Sequence, residues 1–274
     1  MRKSIFEILN NEEDINLEKE LENIATLFGD IYVRHYNYLN SFINTYIIKD
    51  WKYAKRCLSI GALRDKLEIS VEALHYYKYD IDHSLRYLEF TYNLAMLAND
   101  FINKNFLNFQ NPEDFERLIR NIKSLLEELN YEIVEVEDRY EIIEKDSKAT
   151  YVAESNAEIA TEVIEYRKYD LKGDLESKRE ILQKLAPQVE ALRKQFSKTT
   201  YKTLMEDTHY LLNNFHIRHN NKDGQYRIEA ICNMKDEELE QWYDVTYNNI
   251  LSVFIIKDYL GNKLSIDEIK KIVN

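Results

Sequence analysis

Glycine and proline are scarce in this chain, at 5 and 2 of its 274 residues. Both residues punctuate turns and strand ends, so their scarcity leaves long helices as the economical architecture. Five scattered glycines also cannot build a phosphate-cradling glycine loop or a GxSxG nucleophile elbow. That excludes P-loop ATPases and GTPases, dinucleotide enzymes and α/β-hydrolases. Cysteine is limited to Cys57 and Cys232, far apart and without ligand spacing, so both are expected to be reduced and buried in a cytosolic protein. With no His-Glu-x-x-His and no CxxC, neither a metal site nor a cofactor is expected. No apolar run approaches the ~18 residues that span a bilayer. The opening Met1-Arg2-Lys3-Ser4-Ile5-Phe6 is followed within a few residues by acids, unlike a signal peptide. The expectation is a soluble, cytoplasmic protein with no membrane partner. Basic charge is not in excess either. Lys and Arg number 37 against 49 Asp and Glu, a net charge of −12, which argues against a surface-wide nucleic-acid footprint but leaves room for a local basic pocket.

What remains is 45% hydrophobic and 31% charged, a globular balance in a chain long enough for a sizeable core. Its 21 tyrosines suit helix interfaces where one edge of the ring stays wet. Leu17, Leu21, Ile24, Leu27 and Phe28 repeat at helical spacing up to Gly29, and a second helix is expected from Asp30 through Tyr46. Two further helices are read around Asp50 to Gly61 and Glu68 to Tyr79, and another from His83 to Phe101. Asn111-Pro112-Glu113-Asp114 is a strong helix start, with an Asn cap, proline in the first turn and acids at the positive end of the dipole.

At Asn130 the period changes. Tyr131 to Val136 and Tyr140 to Glu144 are β-branched and aromatic, and read as a hairpin; one helix with a charged face is the competing reading. Helix is expected again from Ala149 to Tyr169. A heptad-like seam then runs through Leu175, Leu182, Leu185, Val189, Leu192 and Phe196, with Lys178 filling one position and Pro187 interrupting. Its shortness favours an intramolecular helix pair over a coiled-coil dimer. Thr203 to Asn213 and a long helix opening at Lys235-Asp236 complete the chain, the latter burying Trp242, Tyr243, Val245, Tyr247, Ile250, Leu251, Phe254 and Ile255. The expected fold is mainly α, a multi-helix bundle with one small hairpin near residues 131–144. Residues 1–109 and 110–274 are the expected helical regions, packed separately or as one core.

The densest polar cluster is Leu212 to Gly224. Two of the six histidines, Arg218 and four asparagines fall there, between two helical segments. The planar fork of Arg218 suits phosphate. His219 or His216 titrates near neutral pH and is the candidate acid or base. Asn214, Asn220 and Asn221, with His209 one turn earlier, are the candidate ligand-holding groups. A base plus a cation for the developing phosphorane charge would suffice to cut RNA without a metal. The plainer reading is a helix C-terminus and turn, in which Asn takes left-handed positions and His and Arg satisfy terminal carbonyls.

Two stretches, Asn213 to Asn221 with Trp242-Tyr243-Asp244-x-x-Tyr247 and Leu126 to Val134, resemble helical proteins of bacterial abortive-infection and related anti-phage loci, including the HEPN superfamily. The resemblance implies a helical bundle, often dimeric, and in many members a metal-independent ribonuclease. That superfamily's signature is an arginine, commonly followed by a polar residue, with a histidine four to six residues later. Here Arg218 is followed at once by His219 and no histidine comes after it, so only Arg218 and its polar neighbour carry over. The expectation is therefore a bacterial defence or toxin-type protein acting on RNA or another phosphate-bearing ligand at Arg218. Its rival is a non-enzymatic interaction or sensor subunit that binds another defence-system protein. A homodimer is compatible with either.

Overall fold

The computed structural model describes residues 16–47, 81–136 and 139–273. Among the described residues the chain is mainly helical with a single two-stranded antiparallel hairpin, as expected. The chain divides into two compact units, residues 1–142 and 143–274.

In the first unit, α1 (Leu17–Asp30) starts at Asn16, whose side chain accepts the Lys19 N–H, and buries Leu21, Ile24 and Phe28. The expected continuous helix from Asp30 to Tyr46 is broken. Tyr32 bridges Tyr38, Val33 bridges Phe109, and His35 turns the chain with φ 67°. Arg34 and His35 lie in that turn, and helix resumes only at α2 (Leu39–Phe42), continued by a π turn over Ile43–Ile47. Helical spacing of Val33, Tyr36 and Leu39 was matched by chance, because β-branched and aromatic residues serve an extended turn equally well. Helices expected within residues 50–79 lie outside the described residues, as does Cys57.

α3 (Ile81–Lys104) and α4 (Pro112–Glu128) follow, the latter with Pro112 at its start as read from sequence. Asn111 occupies the cap position without a side-chain cap bond. β1 (Tyr131–Val136) and β2 (Arg139–Glu144) form the hairpin. The outer edge of β2 is completed by side chains of α3. Asn93 donates to the Tyr140 carbonyl (2.7 Å) and accepts the Tyr140 N–H (2.9 Å), while Glu89 accepts the Ile142 N–H (2.9 Å). Side-chain amide and carboxylate thus replace a third strand, so the edge carries no unpaired row of backbone groups there.

In the second unit the expected helix from Ala149 to Tyr169 divides into α5 (Ser147–Ser155) and α6 (Ala160–Glu165). Asn156 ends α5 with φ −135°, where both its backbone N–H and its buried side-chain amide donate to the Val152 carbonyl. α7 (Leu175–Phe196) runs through Pro187 without a break. Proline removes one helical hydrogen bond, but Leu182, Leu185, Ala186 and Val189 are all buried on either side and hold the turn. α8 (Lys202–Asn214), α9 (Glu229–Cys232) and α10 (Asp236–Val273) complete the unit. α7, α8 and α10 pack mutually, with α5 against α10 and α6 against α7. The core between them contains Leu182, Leu185, Phe196, Met205, Leu212, Tyr243, Ile250 and Phe254. Val245, expected inside, is 42% exposed, because it falls on the opposite side of α10 from Tyr243, Tyr247 and Ile250. Among the described residues no helix is long and apolar enough to cross a membrane.

Candidate functional site

Two polar clusters are built into the second unit. The first surrounds Lys178, which occupies a core-facing turn of α7 and is 7% exposed. Its ammonium donates to Asp244 (2.8 Å) and lies 2.9 Å from Glu240, both on α10. Asp244 also accepts the Tyr166 hydroxyl at 3.0 Å, and Glu240 accepts the Gly173 N–H at 2.7 Å. Tyr166 stacks on Tyr247 with ring centres 4.1 Å apart, and the ammonium lies 5.4 Å above the Tyr166 ring. Burial alone would lower the Lys178 pKa; Asp244 and Glu240 overcome it and hold the amine above its ordinary value. Burial works in the same direction as Asp244 on the Tyr166 hydroxyl, pushing it far up. This lysine is permanently charged and fully partnered, and so is not available as a nucleophile or base. The cluster opens onto a cavity of about 400 Å³ rimmed also by Lys172 and Asn248.

The second cluster joins α7 to α8 and to the segment after it. Glu190 on α7 sits between three cationic or titratable groups. Its Oε2 lies 3.2 Å from His209 Nδ1 on α8 and 3.3 Å from Arg218 Nη1, and its Oε1 lies 3.5 Å from Arg193. Arg218 also donates to Asn213 Oδ1 at 3.4 Å. His209 follows Met205 by one turn on the buried stripe of α8, next to Leu212, and is itself 7% exposed. Burial lowers its pKa below the usual 6.5; Glu190 pulls it up, while Arg193 and Arg218 push it down further. At neutral pH the ring is therefore neutral. With a carboxylate at Nδ1, the single ring proton belongs on that nitrogen, leaving Nε2 with its lone pair. Nε2 is buried and has no hydrogen-bond partner. His209 lines a pocket of about 140 Å³ with Arg193, Ser197, Lys202, Met205 and Glu206.

The other candidates named from sequence are held in local structure. His216 takes φ 60° just past α8, its N–H donates to Asn221 Oδ1 (2.8 Å), and its Nδ1 accepts the Asn221 N–H (3.2 Å). Asn221 is buried and donates its remaining amide to the Tyr226 carbonyl at 3.1 Å. Burial, then Arg179 and Lys222, lower the His216 pKa. His219 stacks on Tyr226 at 4.3 Å. Asn214 donates to the Tyr210 carbonyl (2.8 Å), and Asn220 accepts the Lys222 N–H (3.2 Å). The Arg218 N–H closes on the Leu212 carbonyl (2.9 Å), and Gln183 secures the Ile217 carbonyl (2.6 Å). These residues do form a helix end and turn, but with other roles than the plainer reading gave them: His216, not an asparagine, takes the left-handed position, and the carbonyls are met by the Arg218 backbone N–H, Asn214 and Gln183. Cys232, expected to be buried, is half-buried with its thiol 3.4 Å from the Lys222 carbonyl; it sits at the end of the one-turn helix α9, which is too short to be covered on all sides.

Of the candidates, the structure brings His209 and Arg218 together, through a residue that sequence reading did not single out. Glu190 gave no signal, since one more Glu on an amphipathic helix is ordinary. Lys178 did give one, as a lysine in an otherwise apolar seam. No protein-family model, curated protein or solved structure matches this chain.

Proposed function

We infer that the chain acts on a phosphate-bearing substrate, with RNA the leading class, at the pocket beside His209. One observation carries the reading: His209 faces a carboxylate through Nδ1, keeps a buried Nε2 without a partner, and lines a pocket together with Arg193 and Lys202. Leaving a buried ring nitrogen unsatisfied costs about 1–3 kcal/mol, so such atoms call for a reason. Carboxylate–histidine pairs orient the imidazole and stabilise the imidazolium that forms when it takes a proton. Reached through that pocket, His209 Nε2 would accept the proton of the ribose 2′-hydroxyl as the P–O2′ bond forms and the P–O5′ bond breaks, the departing 5′-oxygen taking a proton from water and leaving a 2′,3′-cyclic phosphate. Glu190 would stabilise the resulting cation. Arg193 and Lys202 would offset charge on the phosphoryl oxygens, with Arg218 fixing Glu190 from its other side. Arg218 is thus a positioning residue in this account, and the base is His209 in place of His216 or His219. The likeness of the Arg218 segment to abortive-infection proteins makes RNA the first substrate to try, and a defence or toxin role the corresponding biology.

The test is incubation of purified protein with transfer RNA and total RNA in EDTA, wild type beside His209→Ala and His219→Ala. Cleavage reduced about 10²–10⁴-fold in the first variant alone is expected. Equal cleavage by His209→Ala, or none by folded wild type on any RNA, contradicts the reading. A second reading, a non-enzymatic interaction or sensor subunit, is favoured by the mutual bonding of His216, Asn221 and Tyr226. It takes over if wild type leaves RNA intact.

A further inference from the structure

α3 ends on a residue poorly suited to its place. The Asn105 N–H to Phe101, Phe106 N–H to Asn103 and Leu107 N–H to Ile102 bonds close the helix on Phe106, whose φ is 56°. Glycine or asparagine usually fills that left-handed position. A phenylalanine there is strained, and burial gives nothing back, because Phe106 is 94% exposed.

Leu107, the next residue, lines a cavity of about 320 Å³ between the end of α3 and the start of α4. One wall is apolar and rests on Phe109 and Phe115, which are buried and stack at 4.6 Å. The other is polar, with Asn99 and Asn103 from α3, Asn108 from the segment after it and Glu116 from α4. That segment is fixed from behind. The Asn108 carbonyl accepts the Arg34 N–H (2.8 Å), and the Gln110 N–H bonds the Tyr32 carbonyl (2.8 Å). Asn103 Nδ2 donates to Asn99 Oδ1 at 3.4 Å. Whichever way those two amides are turned, the pair keeps one donor and one acceptor for another molecule. Glu116 has the exposed Arg120 at 3.7 Å, a pairing of little strength in water. No lysine or arginine is among the described residues that line the cavity.

These walls select among ligands. Without a cation the cavity gives a phosphate or carboxylate nothing, and Glu116 repels it. An aliphatic ligand would leave the amides and the carboxylate unmatched. A nucleobase brings a flat apolar face together with an edge of donors and acceptors, and amide side chains pair with such edges. Guanine alone among the common bases sets two N–H donors, N1 and N2, side by side, the match for a carboxylate. It also offers O6 and N7 to amide N–H groups. We propose that the cavity binds a guanine nucleoside, with Glu116 accepting from N1 and N2, the Asn99–Asn103 pair meeting O6 and N7, and Phe106 stacking on the base. The strained turn then holds beside the cavity an aromatic ring that is not committed to the core. Small-molecule sites run from roughly 300 to 1,000 Å³, so the volume suits a ligand of nucleoside size. The site lies wholly in the first unit and does not rest on the reading of His209.

Ligand-observed NMR with the full chain tests it, in separate titrations of guanosine, adenosine, ribose and inorganic phosphate. Wild type should bind guanosine with Kd on the order of 100 µM, adenosine about tenfold more weakly, and ribose and phosphate not at all. Phe106→Asn should lose about tenfold in guanosine affinity, while melting no lower than wild type, since asparagine suits the left-handed turn. Glu116→Gln, at a side chain 68% exposed, should also lose about tenfold and bring guanosine level with adenosine. Wild type that shows no saturable guanosine binding, or that binds adenosine as tightly, overturns the proposal. So does a guanosine affinity that either variant leaves unchanged.

Discussion

The Lys178 and Glu190 clusters are made of similar groups roughly three turns apart on the same helix, and they differ in what is left over. At Lys178 the ammonium meets two carboxylates, which also accept a tyrosine hydroxyl and a backbone N–H. At Glu190 one carboxylate serves His209, Arg193 and Arg218, and an imidazole nitrogen remains unpaired. A saturated network specifies how helices pack and offers no reactive atom. An unsaturated one costs stability, and under the proposed function that cost keeps a base available. The lesson is that the polar residue most conspicuous in the apolar pattern, Lys178, has its charge met by partners, and the nitrogen left without a donor lies in the Glu190 cluster.

That contrast can be broken most forcefully at Lys178. Replacing it with alanine leaves Asp244 and Glu240 facing each other at a half-buried site, and chemical denaturation should show a loss of about 3–5 kcal/mol. If the variant remains folded at low temperature, its phosphate chemistry should be unchanged. A loss below 1 kcal/mol would show that the network holds nothing together.

Next comes Glu190→Gln, which keeps the shape and removes the charge. Turnover on RNA should fall roughly 10–100-fold, the usual range for a residue that orients a catalytic histidine or ligand. Kinetics in which only KM rises would instead make Glu190 a substrate contact.

Smaller again is Asn221→Ala. It removes the acceptor of the His216 N–H and the donor to Tyr226, and should cost about 1–3 kcal/mol of stability with turnover within about twofold of wild type. A large loss of turnover at equal stability would return His216 and Asn221 to the reactive centre.

The smallest effect is on pH. His209 and His216 both have folded pKa values below the 6.5 of a free histidine. Between those values the unfolded chain binds protons that the folded chain refuses. Stability is therefore full above pH 6.5 and declines as pH falls through that value towards the folded pKa values. Thermal melts between pH 7.5 and 5 should show the decline, with a shallower slope in His209→Asn. A stability that rises with acid would mean that Glu190 holds His209 charged.

Much of the fold could be read from the chain because its signals are periodic. The Asn111-Pro112 start, the hairpin after Asn130 and the buried face of the last helix each follow from spacing and cap chemistry. The breaks at His35 and Asn156 could not, because each depends on tertiary partners: the Val33–Phe109 bridge in one case and the Lys257 ammonium, which donates to Asn156 Oδ1, in the other. For the site, the sequence drew attention to the polar segment and paired Arg218 with His219 or His216, whereas in the structure it is His209, expected only to hold ligand, that shares Glu190 with Arg218. It could not choose among His209, His216 and His219, since the choice turns on which ring is buried against a carboxylate 19 or more residues earlier in the chain. A helix pair brings Glu190 and His209 together; local spacing carries no trace of it.

The central claim, that His209 Nε2 is an unprotonated base in the folded protein, is open to direct measurement. Nitrogen-15 spectra of histidine-labelled protein at pH 7, assigned by loss of one signal in His209→Asn, report the protonation of each ring nitrogen. The account predicts a pyrrole-type Nδ1 and a pyridine-type Nε2 that shifts when phosphate or a mononucleotide is added. A doubly protonated ring, or a proton on Nε2 with Nδ1 bare, would contradict it.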